Sequence, residues 1–269
     1  MTDRITVTIE DGVADVRMVR TDKMNALDDA MFEALVTTGE RLIAEPGLRA
    51  VVLSGEGRAF CAGLDMGNFG RMAEGPRTSG ATSQEALTRR THGITNRAQY
   101  AVWVWREIPV PVIAAVHGVA FGGGFQLALG ADMRFVAPDT RMAVLEIKWG
   151  LVPDMAGTML MRHLAREDVV RELTYTGRIF SGEEALAMGF ATRVCADPHA
   201  EALAVAREIA GKNPHAVRAS KRLLNAAVVT DEGSGMLQET VEQIALIGSP
   251  NQIEAVMANM QKRAPAFTD

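Results

Sequence analysis

An α/β core followed by a helical C-terminal part is the fold class this chain predicts, and three observations carry it. Up to about residue 155, short strand-like runs alternate with helix-like stretches, the order expected of an α/β domain. Beyond Asp197 the pattern is almost wholly helical. The 269 residues, 48% of them hydrophobic, suit one main domain with a sizeable core and a small appended part. The expected division is a core over residues 1–197 and a helical region over 198–269.

In order, Ile5, Val7 and Ile9 alternate with polar residues, Asp11-Gly12 punctuates, and Val13 to Val19 resumes, which reads as a hairpin. Asp28 is placed to cap a helix that covers Met31, Leu35, Leu42 and Ile43. Ala50 to Ser54 is a short buried strand, closed by the Gly55-Glu-Gly57 turn. Met66 to Met72 reads as a brief helix, and Gly75 to Ser83, rich in Gly, Ser, Thr and Pro, as a mobile loop. A helix through Tyr100 to Arg106 follows, and Pro109 and Pro111 break it. Val112 to Val116 is a strand that leads into a glycine cluster and its helix. Met133 to Ala137 and Met142 to Leu145 are further strands. Ser181-Gly-Glu-Glu184 forms a capping box before Ala185 to Met188. Helices then cover Pro198–Ala210, His215–Ala227 and Gly235–Ile247, and Ser249-Pro250 opens a last one.

Bulk properties narrow the function. The net charge is −5 and no long basic run occurs, which argues against nucleic acid as a general partner. Cys61 and Cys195 are the two cysteines; no Cys-x-x-Cys and no metal-like spacing against the five histidines is present. A cytoplasmic protein without a disulfide and without a metal is expected. The N-terminus alternates like a strand rather than a signal peptide, and no apolar run approaches the roughly 20 residues of a membrane span. Gly55-Glu-Gly57 lacks the third glycine of a dinucleotide fingerprint, so NAD is discarded.

The most informative stretch is Val119 to Asp132, with Gly122-Gly-Gly124 between an apolar run and an Ala-rich helical pattern. Glycine lets backbone approach a ligand closely, and the first helical turn presents N–H groups without internal partners. The result is an anion cradle built of backbone, suited to an oxygen that gains charge during a reaction. A second turn of this kind, Arg58 to Asp65, follows a strand. Two N–H donors from separate loops are the usual construction of an oxyanion hole.

Ala59-Phe-Cys-Ala-Gly-Leu-Asp65, Pro111-Val-Ile-Ala-Ala-Val-His-Gly118, Gly122-Gly-Gly-Phe-Gln126 and Ala131-Asp132 together resemble the signature of the enoyl-CoA hydratase/isomerase (crotonase) family. Arg20 to Leu27, Thr176 to Ser181 with Glu184-Ala185 and Gly189, and Lys262 to Phe267 extend the resemblance over nearly the whole chain. The resemblance implies a crotonase-like spiral of strand-strand-helix turns, a helical trimerisation region, and an acyl-CoA thioester as substrate, with no cofactor beyond the coenzyme A of that substrate. It implies that the N–H groups of Leu64 and Gly123 hold the thioester oxygen and that Ala62 and Asp65 lie along the CoA path. Lys23 and Lys262 would meet the nucleotide end, Lys262 from a neighbouring subunit. A homotrimer or a dimer of trimers follows.

One position departs from the family's pattern. Hydratases of the family use two glutamates; this chain matches the second at Glu146 and has Gln126 at the first. An amide can hydrogen-bond but cannot exchange a proton at neutral pH. General acid–base help is worth about 10²–10⁴-fold, so efficient hydration is expected to suffer. Double-bond isomerases need one carboxylate that takes a proton from one carbon and returns it to another. Asp154, eight residues after Glu146, matches a carboxylate of the family's dienoyl-CoA isomerases. The candidate catalytic residues are therefore Glu146, Asp154 and Gln126, and isomerisation is favoured. The alternatives are hydration with Gln126 orienting the water, and a catalytically silent oligomeric acyl-CoA-binding protein. Asp154 has a plainer reading as the cap of the next helix, and Gln126 as a hydrogen-bonding spacer. Cys61 reads as a small buried residue beside the loop.

Overall fold

A computed structural model of the chain describes residues 4–68 and 83–269. In chain order it contains β1 (Ile5–Glu10), β2 (Val13–Met18), α1 (Asp29–Ile43), β3 (Ala50–Gly55), α2 (Gln84–Thr88), α3 (Arg97–Glu107), β4 (Val112–Val116), β5 (Val119–Phe121), α4 (Gly123–Leu129), β6 (Met133–Val136) and β7 (Arg141–Ala143). Then come α5 (Gly157–Met161), α6 (Glu167–Thr176), α7 (Gly182–Met188), β8 (Arg193–Val194), α8 (Pro198–Ala210), α9 (Pro214–Ala227), α10 (Glu232–Leu246) and α11 (Pro250–Met260). Single turns of 3-10 helix lie at Thr21–Lys23 and Glu146–Trp149.

The main sheet has the order β1-β2-β3-β4-β6-β8. Only the β1/β2 hairpin is antiparallel; every later pair is parallel. Parallel neighbours need long crossovers, and here these carry the helices. Polar side chains start them: Asp28 accepts the Met31 N–H at 2.8 Å, and Asn96 and Ser181 each form a reciprocal capping box with Gln99 and Glu184.

After its main-sheet strand, successive turns of the chain lay down a second, shorter extended piece. Leu27 bridges Leu64, Cys61 bridges Ala120, β5 pairs with β7, and Met142 bridges Phe180. These pieces stack side by side, and that stacking turns the repeated strand-strand-helix unit into a spiral. Strands β3 and β4 are buried throughout because both faces of the main sheet are covered. Val51, Leu53, Val112 and Ala114 face the larger core with α1, α3 and α4, whereas Ala50, Val52, Ile113 and Ala115 face α8 through Ala202 and Ala206.

Helix α9 is anchored to the core by a buried cation. Lys221 Nζ donates to Asp132 Oδ2 at 2.7 Å and to the Val110 carbonyl at 2.9 Å, and Asp132 Oδ2 also accepts the Val112 N–H. Helix α10 packs on α9, and none of its residues is buried.

The elements expected from sequence agree with this architecture, but the ten-residue helix α6 and the five-residue α5 were not among them. β5 and β8 were not anticipated, because runs of three and two residues are too short to show a period. The expected strand at Met142–Leu145 is Arg141–Ala143, and the chain beyond it winds into the 3-10 turn that carries Glu146. Of the expected helix at Met66–Met72, Met66–Asn68 are helical; positions 69–72, and 75–82 of the expected loop, lie outside the described residues.

Candidate active site

Two backbone donors come together where the loop after β3 meets the start of α4. Leu27 donates to the Gly63 carbonyl at 2.8 Å and accepts the Asp65 N–H at 3.0 Å. This parallel bridge engages both neighbours of Leu64, so the N–H of Leu64 turns away from Leu27. Gly123 opens α4, and its N–H has no partner within the helix. Among the described residues neither N–H is hydrogen-bonded. The loops touch because Gly63 has no side chain: it holds φ at +86°, and a Cβ there would lie 2.5 Å from the Phe121 carbonyl oxygen and 3.6 Å from the Gly123 nitrogen. Leu64 and Gly123 line one cavity of about 890 Å³.

The same cavity is lined by Gln126, Glu146 and Asp154, so the three candidate catalytic residues meet at the two donors. Gln126, on α4, is 1% exposed. Its Oε1 accepts the N–H groups of Met155 and Gly157, each at 2.9 Å, and its Nε2 donates to Glu146 Oε1 at 2.6 Å. Glu146 lies over Gly122, where a Cβ would come within 3.3 Å of its Oε1. Glu146 Oε2 is buried and has no hydrogen-bond partner. Burial holds the Glu146 carboxyl above the ordinary carboxylate range; its own backbone and the Gln126 amide oppose that rise, and the Asp154 charge adds to it. Asp154 reaches the open space of the cavity yet is enclosed by protein, and burial raises its carboxyl too. It does not cap α5: the residue at the cap is Ala156, in the left-handed conformation, with no side-chain bond to the helix. The plainer reading of Asp154 is thereby removed, and the Gln126 side chain makes three hydrogen bonds, to Met155, Gly157 and Glu146.

The remaining predicted residues are spread more widely. Ala62, Asp65 and Lys23 line the cavity, Lys23 being exposed at its edge. Asp65 is already committed: Arg20 contacts it at 2.7 Å and the Gly67 N–H donates to it at 2.7 Å. Burial opposes its ionisation, and these two partners outweigh burial to hold it below the usual range. Lys262 does not line the cavity; it is exposed beyond the end of α11. Sequence reasoning missed Lys148, Trp149, Leu151 and Val152 on the cavity wall. A signal existed, since Trp149, Leu151 and Val152 are large apolar residues in a Gly- and Pro-punctuated segment where no strand or helix could bury them.

Cys61 is fully buried, its thiol pushed up to about 12 by burial and donating to the Asn25 carbonyl, so it is no nucleophile. Among the described residues no group of three or more His, Cys, Asp or Glu side chains is arranged to hold a metal ion, and no helix is long and apolar enough to cross a membrane.

Comparison with known proteins bears on the same assembly of backbone donors and one free carboxylate oxygen. The family model described as enoyl-CoA hydratase/isomerase matches residues 8–269. The chain is 30% identical to the mitochondrial Delta(3,5)-Delta(2,4)-dienoyl-CoA isomerase of Mus musculus, over 93% of this chain and 77% of that protein. It is likewise 30% identical to the mitochondrial enoyl-CoA hydratase domain-containing protein 2 of Bos taurus, over 95% of this chain and 84% of that one. The crystal structure of enoyl-CoA hydratase from Bacillus anthracis superposes with a TM-score of 0.87 at 27% identity, covering 98% of this chain and 99% of that one. A match over nearly the whole length, on a spiral whose glycine loops converge on Glu146, makes this chain an enzyme of the enoyl-CoA hydratase/isomerase family, with the crotonase fold.

Proposed function

We propose that the enzyme moves a double bond along the acyl chain of an enoyl- or dienoyl-CoA thioester, with Glu146 as the proton carrier. One observation carries this reading: the Gln126 amide occupies Glu146 Oε1 at 2.6 Å and leaves Oε2 as a buried carboxylate oxygen without a partner, in the cavity that the two backbone donors line. Hydration needs one group to activate water and another to protonate the chain, and an amide can do neither. Isomerisation needs one base whose proton comes back.

In this reading the Leu64 and Gly123 N–H groups donate to the thioester oxygen. A C–H bond of the acyl chain breaks, its electron pair enters the conjugated enolate, and the proton passes to Glu146. The enolate then collapses with a new C–H bond further along the chain, and Glu146 is ionised again. The backbone donors act on the enolate oxygen without reorganisation. Asp154 is a second proton carrier for a diene, where the carbons lie too far apart for one carboxylate. Ala62 and Asp65 flank the CoA path, and Lys23 and Lys262 meet its nucleotide end. Coenzyme A enters as part of the substrate, and no other cofactor is required.

The same reading makes the protein a homotrimer or a dimer of trimers assembled through the helical region 198–269. Leu237, Val241 and Ile244 on α10 are 64%, 60% and 69% exposed and fall on one helical face, an apolar stripe of the kind that buries against another subunit.

Glu146→Gln tests the catalytic assignment. The amide still accepts from Gln126, so the fold and CoA-ester affinity by calorimetry are expected to persist while turnover falls by about 10²-fold or more. Unchanged turnover in that variant contradicts the proposal.

A further inference from the structure

Gln126 has its orientation dictated by the backbone around it. The N–H groups of Met155 and Gly157 converge on one atom of its side chain, each at 2.9 Å, and only an oxygen can accept them. The approach is close enough that a Cβ at Gly157 would lie 2.6 Å from that oxygen. The amide nitrogen must therefore face Glu146, and it lies 2.6 Å from Oε1. An amide NH₂ donates and does not accept, so Oε1 remains an acceptor in both protonation states of Glu146. A proton bound to Glu146 has one place left, Oε2, which is buried and without a partner. Gln126 also ties Glu146 to the 151–157 segment that bears Asp154.

We infer that Gln126 is a positioning residue that confines the travelling proton to Glu146 Oε2 and holds the Asp154 segment in register with it. The inference rests on the isomerase reading above and deepens it. The proton leaves carbon for Oε2 and returns to carbon from Oε2, the electron pair passing through the enolate in between, so nothing is oxidised and no co-reactant is consumed. Because one shielded oxygen performs both transfers, the proton stays with the substrate. Gln126 thereby turns a position that serves proton transfer in hydratases into a clamp.

The test follows the proton in the wild type, Gln126→Met and Gln126→Glu. The substrate is an enoyl-CoA carrying deuterium at the carbon that loses its proton, in ordinary water. The wild type is expected to return a substantial share of the label to the new carbon. Gln126→Met removes both the donor to Glu146 and the acceptor for the two N–H groups. Its kcat is expected to fall by roughly 10–100-fold with KM little changed, and its label retention to drop. Loss of a hydrogen bond to the charged form moves the acidic limb of kcat upward, by about one pH unit. Gln126→Glu guards against a folding artefact, since it keeps an acceptor for Met155 and Gly157 and loses only the donor. Two carboxylates at that separation must share a proton, so its acidic limb moves upward as well and label is lost to water. An unmoved limb with wild-type retention in either variant, a lower kcat that tracks only a lower Tm, or a wild type that isomerises with no retention overturns the inference. Failure of the underlying reading looks different: the wild type would then give a hydrated product in place of an isomer.

Discussion

Glu146 is placed where a carboxylate is costly to the fold and useful to the chemistry. Burial raises its pKa, so the folded protein holds that proton more tightly than the unfolded chain does. Above the ordinary carboxylate range the ionised group therefore destabilises the folded state, and the penalty disappears as the pH falls. The Glu146→Gln variant should accordingly melt higher than the wild type at neutral pH, on the order of 2 °C, while it loses turnover; an equal or lower Tm by scanning calorimetry argues against a strained buried carboxylate. The same shift sets the pH profile. In the proposed mechanism the ionised form is the base, so activity is expected to be lost as the pH falls, with a midpoint above that of an ordinary glutamate. Gln126 tempers the rise, since a donor 2.6 Å from Oε1 favours the charged form.

Elements deliver these residues with little tolerance. The two backbone donors exist as a pair only because a parallel bridge at Leu27 turns Leu64 outward while α4 opens at Gly123. The base of α9 shows the same dependence on a few contacts. Lys221 satisfies Asp132 and two carbonyls from inside the core, and Asp132 in turn holds the start of β4. Lys221→Met removes one partner of a buried ion pair and is expected to cost on the order of 3 kcal/mol in urea unfolding; a change below about 0.5 kcal/mol would show that the pair anchors nothing. Much of this level was legible in the chain. Asp28, Ser181 and the Pro-opened C-terminal helices announce themselves because capping is local chemistry, and Gly122 to Gly124 because close backbone contact leaves a compositional mark. What was not legible depends on distant pairing. Two-residue β8 exists through its partner β6, the role of Gln126 needs the Met155 and Gly157 N–H groups 29 and 31 residues away, and Asp65 could not be known to pair with Arg20.

For the whole molecule, the spiral leaves one part uncovered. α10 buries none of its residues, and α11 exposes Ile253, Val256, Met257 and Met260 at helical spacing. Subunit association through 198–269 would bury these stripes. The double substitution Val241→Asp, Ile244→Asp is predicted to shift the mass seen by light scattering from a multiple of three chains to a single chain. A wild type that is already monomeric contradicts the proposed assembly. With a net charge of −5 and no long basic run, attraction for an anionic CoA ester under the proposed function would be local, and Lys23 and Lys148 are cations that line the cavity.

The central claim, that this site isomerises rather than hydrates, is tested most directly by product analysis in heavy-oxygen water. Purified protein is offered 2-enoyl-, 3-enoyl- and 3,5-dienoyl-CoA separately, and products are read by mass spectrometry and NMR. The account predicts a positional isomer with no added oxygen, and turnover of the diene if Asp154 carries a proton. Uptake of heavy oxygen into a 3-hydroxyacyl product would contradict it, and would mean that Glu146 with an amide partner suffices to add water.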